Sequence, residues 1–121
     1  MSMIDDNRDL IESALRYSGG THSFEDVKAA ITEGTMQIWP APRGVAVTEI
    51  IVYPRAKSLH VFLAAGEMDQ LLDMIDAAMH WGRSQGCTAM SMTGRFGWQK
   101  VLAKHGWKPK HITLERSLAD G

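Results

Sequence analysis

Two titratable side chains, Glu49 and His60, lie on segments whose composition is typical of neighbouring strands. Val45–Tyr53 is rich in β-branched residues and apolar on both faces, and Leu59–Ala65 follows after a short link, so the two are predicted to form a hairpin. The expected register places Ile51 opposite His60 and Glu49 diagonal to it. Diagonal neighbours on paired strands lie about 7–8 Å apart at Cα, which is within reach of both side chains.

Such a pair could remove a proton from an amine, either directly or through a water molecule, because His and Glu are common general bases. The same residues could instead form a structural polar pair, or face solvent at an open part of the sheet. The register is inferred, and a slip of one residue would place the two side chains on opposite faces. Glu49 and His60 are therefore candidate catalytic residues, with a purely structural role as the simpler interpretation.

The remaining histidines and the cysteine do not suggest a metal site. His22, His80 and His111 lack the spacing of metal ligands, so no metal is predicted. Cys87 directly follows Gly86 at an expected helix end, and a buried thiol explains it better than a nucleophile.

Composition limits the classes of partner. The chain has 121 residues, of which 45% are apolar and 22% charged, as expected for one folded domain spanning residues 1–121. A formal net charge of −1 gives no electrostatic basis for binding nucleic acid or an anionic membrane. A single cysteine, the absence of a long apolar run and a polar, acidic start to the sequence favour a cytoplasmic protein.

Hydrophobic periodicity and turn residues predict elements in the order helix, helix, three strands, helix, strand, helix, strand. Their expected positions are Asp6–Tyr17, a Ser23-capped helix ending at Gly34, Thr35–Trp39, Val45–Tyr53, Leu59–Ala65, Glu67–Gln85, Thr88–Thr93, Arg95–His105 and His111–Leu118. The strands on either side of the long helix should be parallel, since they form a βαβ unit. The apolar stripe of that helix predicts four buried residues, namely Leu71, Leu72, Ile75 and Met79.

Two motifs in the second half carry a family resemblance. The run Trp98-Gln-Lys-Val-Leu-Ala-Lys-His-Gly-Trp107 is a helix that ends in Gly and is followed by an aromatic residue and an expected strand. It resembles the closing motif of the GNAT superfamily of N-acetyltransferases. Together with Gly94-Arg-Phe-Gly-Trp98, it also looks like small GNAT-like proteins encoded by tailed phages and prophages. The resemblance covers about half of the chain and implies an α/β fold with a mixed central sheet flanked by helices.

The resemblance also implies where acetyl-CoA would bind. GNAT proteins hold the cofactor's pyrophosphate at a glycine-rich loop before the long helix, here Ala64, Ala65 and Gly66. In such a fold some of the basic residues of the last third would lie near the phosphates, and a solvated face explains the same residues without a ligand. These residues are Arg95, Lys100, Lys104, Lys108 and Lys110.

Two departures from the family pattern favour a protein that does not catalyse. The loop has one glycine, and Glu67 places a negative charge at the helix start, where it would satisfy the N–H groups and repel phosphate. Leu102 occupies the position where the family often has a tyrosine as general acid, and leucine cannot donate a proton.

The sequence therefore predicts a phage-type interaction module, with virion association as one form of that role. Its partners would be phage structural proteins or other copies of itself, and acetyl-CoA would bind no better than about millimolar. The alternative is a small acetyl-CoA-dependent N-acetyltransferase that uses Glu49 and His60.

Overall fold

The structure is a computed structural model that describes residues 3–17, 20–94 and 96–119. Within those ranges the elements run α1 Met3–Asp6, α2 Arg8–Leu15, α3 Phe24–Glu33, β1 Met36–Ala41, β2 Gly44–Tyr53, β3 Ala56–Gly66, α4 Met68–Ser84, β4 Ala89–Met92 and α5 Phe96–Ala103. The four strands form one mixed sheet in the order β1-β2-β3-β4. The predicted mixed sheet flanked by helices is confirmed.

The strand pairings agree with the predicted topology. β2 is antiparallel to both β1 and β3, and β3 is parallel to β4. The hairpin register was predicted two residues off, because the turn is tighter than the expected link. Tyr53 pairs with Ala56, so only Pro54 and Arg55 connect the strands.

Helices cover both faces of the sheet. On one face, α2 packs on β3 and β2 and α3 packs on β1, with a core that includes Ile11, Val27 and Val47, all with 0% exposure. On the other face, α4 packs through Leu71 and Met74 on Ala46. Ala46 and Val47 are successive residues of β2, so their side chains point to opposite faces of the sheet. Ala46 therefore packs against α4, and Val47 packs in the core formed with α2 and α3.

Local capping explains where α3 begins and ends. The side chain of Ser23 accepts a hydrogen bond from the backbone N–H of Asp26, whose carboxylate accepts one from the backbone N–H of Ser23. Gly34 ends the helix with a left-handed φ of 87°. The predicted capping box and helix end are confirmed.

The buried stripe of α4 was only partly predicted. Leu71 and Ile75 are buried as expected, but Leu72 and Met79 are half-buried. Met74 and Ala78 take their places in the core with 6% and 2% exposure. The helix is therefore rotated toward the face that carries Met74 and Ala78, and its half-buried methionine and leucine border the core.

The last predicted strand was wrong, and the first helix is shorter than predicted. His111–Leu118 is not a strand, since these residues form no strand pairing in the structure and are exposed along their whole length. The first predicted helix, Asp6–Tyr17, corresponds to α2 at Arg8–Leu15, and a separate short helix, α1, ends before Asn7, whose side chain donates a hydrogen bond to the carbonyl of Met3.

In the described part of the chain, no helix combines the length and the apolar character needed to cross a membrane.

Candidate active site

Glu49 and His60 are direct cross-strand partners on β2 and β3. The sequence predicted that Glu49 and His60 lie close together on neighbouring strands, and they do, although the predicted register placed them diagonally rather than directly opposite. Cross-strand partners share a face of the sheet. Their electrostatic coupling is visible in the His60 imidazole, whose pKa the Glu49 carboxylate acts to raise.

His60 is held by two hydroxyl groups, one on the neighbouring strand β4 and one on the residue that directly follows it. Its Nδ1 forms a hydrogen bond of 2.8 Å with Oγ of Ser91, and its Nε2 lies 3.3 Å from Oγ1 of Thr93. Burial lowers the pKa of His60 below its usual value, and this outweighs the opposing influence of Glu49. The imidazole is therefore mainly neutral at pH 7, and its unprotonated nitrogen can accept a proton in place of its hydroxyl hydrogen bond.

Sequence reasoning missed Ser91 and Thr93. They belong to the site because β3 and β4 are parallel and His60 pairs with Ser91 in their register. The parallel pairing of β3 and β4 was predicted, but the register between them was not. A correct register would have placed the hydroxyls of Ser91 and Thr93 beside His60.

A cleft opens beside His60 where β3 and β4 separate. The two strands pair over only four residues, ending at Val61 and Met92, whereas β3 continues to Gly66. The remaining edge of β3 faces a cleft of about 620 Å³ that is lined by β3 itself, by α2 and by Trp98 of α5. This volume is within the range of small-molecule sites, which is about 300–1,000 Å³.

A bulge in β3 lies at the point where the strands separate. Val47 pairs with Leu63 and Thr48 pairs with Val61, so Phe62 has no partner in the β2–β3 ladder. Phe62 packs at the edge of the helical core, with its ring 4.6 Å from that of His22. Bulges bend a strand and increase its local twist, and this one lies directly after Val61, where the pairing of β3 with β4 ends.

The predicted cofactor-binding residues lie at the end of that strand. Ala64, Ala65 and Gly66 line the cleft together with His60. Gly66 has φ of 120°, and a Cβ atom on it would lie 2.3 Å from the carbonyl oxygen of Arg43. Only glycine allows this close approach of the β1–β2 turn to the start of α4.

The acidic start of α4 differs from the expectation. Glu67 makes no side-chain hydrogen bond to the first turn of the helix. Its carboxylate instead accepts a hydrogen bond of 2.5 Å from Nε of Arg43. The expectation that Glu67 satisfies the helix N–H groups is therefore wrong, and its charge is paired with a guanidinium that sequence reasoning did not consider.

Of the other predicted site residues, those that the structure describes do not line the cleft. Arg95 lies outside the described residues, and the four predicted lysines, Lys100, Lys104, Lys108 and Lys110, are exposed. Leu102 is buried with 4% exposure, so it is a packing residue. Among the described residues, no group of three or more His, Cys, Asp or Glu side chains could hold a metal ion.

Comparison with known proteins gives structural matches. No protein-family model matches the sequence, and no curated protein matches it significantly. The fold is similar to that of a predicted acetyltransferase with acetyl-CoA from Clostridium acetobutylicum, with a TM-score of 0.70, 12% identity and coverage of 99% of this chain and 95% of that one.

Two further solved structures are similar. Glucosamine-6-phosphate N-acetyltransferase from Arabidopsis thaliana gives a TM-score of 0.62 at 15% identity, covering 97% of this chain and 95% of that chain. A GNAT family acetyltransferase from Staphylococcus aureus gives 0.61 at 7% identity, covering 98% and 95%. At these identities the matches concern the fold alone, and the chain has the fold of the GNAT acetyltransferases.

Proposed function

We propose that this chain is an N-acyltransferase that takes an acetyl group from acetyl-CoA and transfers it to an amine. The observation that carries the proposal is the cleft between β3 and β4, which has a neutral imidazole at its side. The fold neighbours named as acetyltransferases support the same reading. The sequence alone favoured the opposite order of hypotheses, chiefly because of the charge of Glu67, and that charge is paired in the structure.

His60 would act as the proton acceptor. Burial keeps its imidazole neutral at pH 7, and Ser91 and Thr93 fix the orientation of the ring. When the imidazole accepts a proton from the attacking amine, the carboxylate of Glu49 on the neighbouring strand stabilises the resulting positive charge. Glu49 would thus assist His60, and the two candidates take different roles.

The cleft fits the thioester end and the arm of acetyl-CoA. When bound, acetyl-CoA supplies an acetyl group on a thioester, and the leaving group is its thiolate. The edge of β3 from Phe62 to Gly66 has no strand partner on the β4 side, so its backbone groups there can hydrogen-bond an extended ligand. Ala64 and Ala65 would hold the arm by these backbone groups, since their side chains are too small to fill the cleft.

The region that would hold the phosphates of acetyl-CoA offers fewer favourable contacts than the edge of β3. The start of α4 has no side-chain cap, which leaves backbone N–H groups for an anion. Glu67 and Asp69 lie in the same region, and the guanidinium of Arg43 already pairs with Glu67. We therefore expect moderate affinity, stronger than about 1 mM, with most of the binding from the arm and acyl group.

A second candidate is the non-catalytic interaction module expected from the sequence. It is favoured by Leu102, which is buried where the family often has a general acid. In that case the cleft is a remnant, and the phage or prophage resemblance and virion association stay predictions from the motifs around Trp98 and Trp107.

Calorimetric titration of acetyl-CoA into the purified protein at low salt separates the two candidates, because low salt strengthens any help from charge. Saturable binding below about 1 mM, together with amine-dependent release of the thiol, supports the enzyme. His60→Gln should remove thiol release and leave binding, and Arg55→Gln, an exposed position in the β2–β3 turn away from the cleft, serves as the control. The absence of binding at millimolar acetyl-CoA would overturn the proposal in favour of the interaction module.

A further inference from the structure

One wall of the cleft beside His60 is formed by a single side of α2. Leu10, Ser13 and Ala14 line the cleft, and Tyr17 lines it just beyond the end of the helix. Residues three and four apart lie on the same side of a helix, so the wall is continuous. Tyr17 is 64% exposed, which places its ring at the mouth of the cleft.

The rest of the lining is also largely apolar. Phe62 of β3, Met92 of β4 and Trp98 of α5 contribute to it, and His60 and Thr93 add an imidazole and a hydroxyl. Among the lining residues that the structure describes, none is a lysine, arginine, aspartate or glutamate. A ligand with an apolar body fits such a lining, whereas an acidic group placed in it would lose hydration without gaining a cation as partner.

A carboxylate stands close to the position where an acceptor amine must react. Glu49 pairs directly with His60 across β2 and β3, and its charge acts on the imidazole. An amine that gives its proton to His60 therefore comes within range of the Glu49 carboxylate. An ammonium group is attracted by that charge, whereas a carboxylate on the carbon next to the nitrogen is repelled by it.

The proposed acyltransferase function is the basis of the next step. We propose that the acceptor is a primary amine with an apolar or aromatic body and no acidic group. Its body would lie against the α2 wall and Phe62, with its nitrogen beside His60. The nitrogen then bonds to the acetyl carbonyl carbon while the C–S bond breaks, the thiolate leaves with the bonding electrons, and the proton of the nitrogen passes to His60. The ring of Tyr17 would cover the apolar body, which makes Tyr17 a specificity-determining residue.

Two amines that differ only in an α-carboxylate test the role of charge. With acetyl-CoA as donor, kcat/KM for thiol release should be about tenfold higher for 2-phenylethylamine than for phenylalanine. Glu49→Gln slows both reactions, since Glu49 assists His60, but it should narrow the ratio between the two amines about threefold or more. Equal use of the two amines by the wild type, or a ratio that Glu49→Gln leaves unchanged, would overturn the inference.

A small polar amine tests the role of the apolar wall. Tyr17→Ala should lower kcat/KM for 2-phenylethylamine about fivefold and leave that for ethanolamine nearly unchanged. Tyr53→Ala is the matched control, because Tyr53 is a similarly exposed tyrosine, at 53%, that lies outside the cleft lining. Equal losses for the two amines in Tyr17→Ala, or the same selective loss in Tyr53→Ala, would contradict the assigned role of Tyr17.

The same assay separates failure of this inference from failure of the proposed function. Thiol release that is as fast with phenylalanine or ethanolamine as with 2-phenylethylamine refutes the acceptor class and leaves the acyltransferase in place. Thiol release with none of the three amines, or with any other primary amine, refutes the acyltransferase and the acceptor class together.

Discussion

Replacing Gly66 with alanine should destabilise the protein more than any other change of glycine to alanine at a helix or strand end. Gly66 has φ of 120°, and its added Cβ would lie 2.3 Å from the carbonyl oxygen of Arg43 and 2.4 Å from Cα of Gly44. Both contacts are with backbone atoms, so a change of rotamer cannot relieve them. The β1–β2 turn would have to move away from the end of β3.

The expected magnitude has two parts. The backbone conformation costs an L residue about 1–3 kcal/mol. Moving the turn also strains the hydrogen bond of 3.0 Å from N–H of Glu67 to the carbonyl of Arg43, which contributes about 0.5–1.5 kcal/mol. Together they predict a loss of about 2–4 kcal/mol, or a fall in Tm of roughly 10 °C for a domain of this size.

Gly34→Ala is the matched control. Gly34 also has a positive φ, of 87°, but its Cβ would meet no atom within 4 Å. It should therefore lose only the conformational part, about 1–2 kcal/mol. Urea unfolding of both variants measures the difference, and equal losses would refute the steric reasoning. Since Gly66 borders the cleft, Gly66→Ala should also weaken acetyl-CoA binding, whereas Gly34→Ala should not.

Three further predictions concern the site and the core. Because His60 must be neutral to accept a proton, kcat/KM should rise with pH through the lowered pKa of His60. Glu49 acts to raise the pKa of His60, so Glu49→Gln should move this rise in kcat/KM to still lower pH. Because the pKa of His60 is lower in the folded protein than in the unfolded chain, the unfolded chain binds this proton more readily. The free energy of unfolding should therefore fall as pH drops from about 6.5 through the folded pKa. Urea unfolding at about pH 5 and pH 7 should show a smaller loss for His60→Gln than for the wild type. Leu71→Ala should cost about 2–5 kcal/mol because its side chain is 1% exposed, whereas Leu72→Ala should cost less because its side chain is half-buried. Equal losses for the two leucines would contradict the observed orientation of α4.

Features that depend on neighbouring residues could be predicted from the sequence. The capping box of Ser23 and Asp26, the helix end at Gly34 and the parallel strands around α4 follow from local patterns and from one topological rule. The orientation of α4 could not, because Met74 and Leu72 are both apolar and the helix has more apolar positions than one core face can bury. Packing against Ala46 selects Met74.

The site depended on distances that no local pattern contains. The candidates Glu49 and His60 were identified from an expected hairpin, and they are close because a two-residue turn shifts the register to make them direct partners. Ser91 comes from 31 residues further along the chain, and only the parallel register brings its hydroxyl to His60. Residue type therefore suggested the base, while the groups that orient it required the fold.

The role of Glu67 shows how a local charge argument can change with one distant contact. A carboxylate at the start of a helix interacts favourably with the helix dipole and repels phosphate, and the sequence supported both statements. In the structure, Arg43 lies 24 residues earlier and its guanidinium binds that carboxylate directly. The pair is exposed, so it adds little to stability, but it neutralises the charge of Glu67 and leaves Asp69 as the acidic residue in the first turn of α4. The guanidinium of Arg43 lies beside Glu67 because Gly66 allows the β1–β2 turn to approach the end of β3. The backbone conformation of one glycine thereby alters the electrostatics of the cleft.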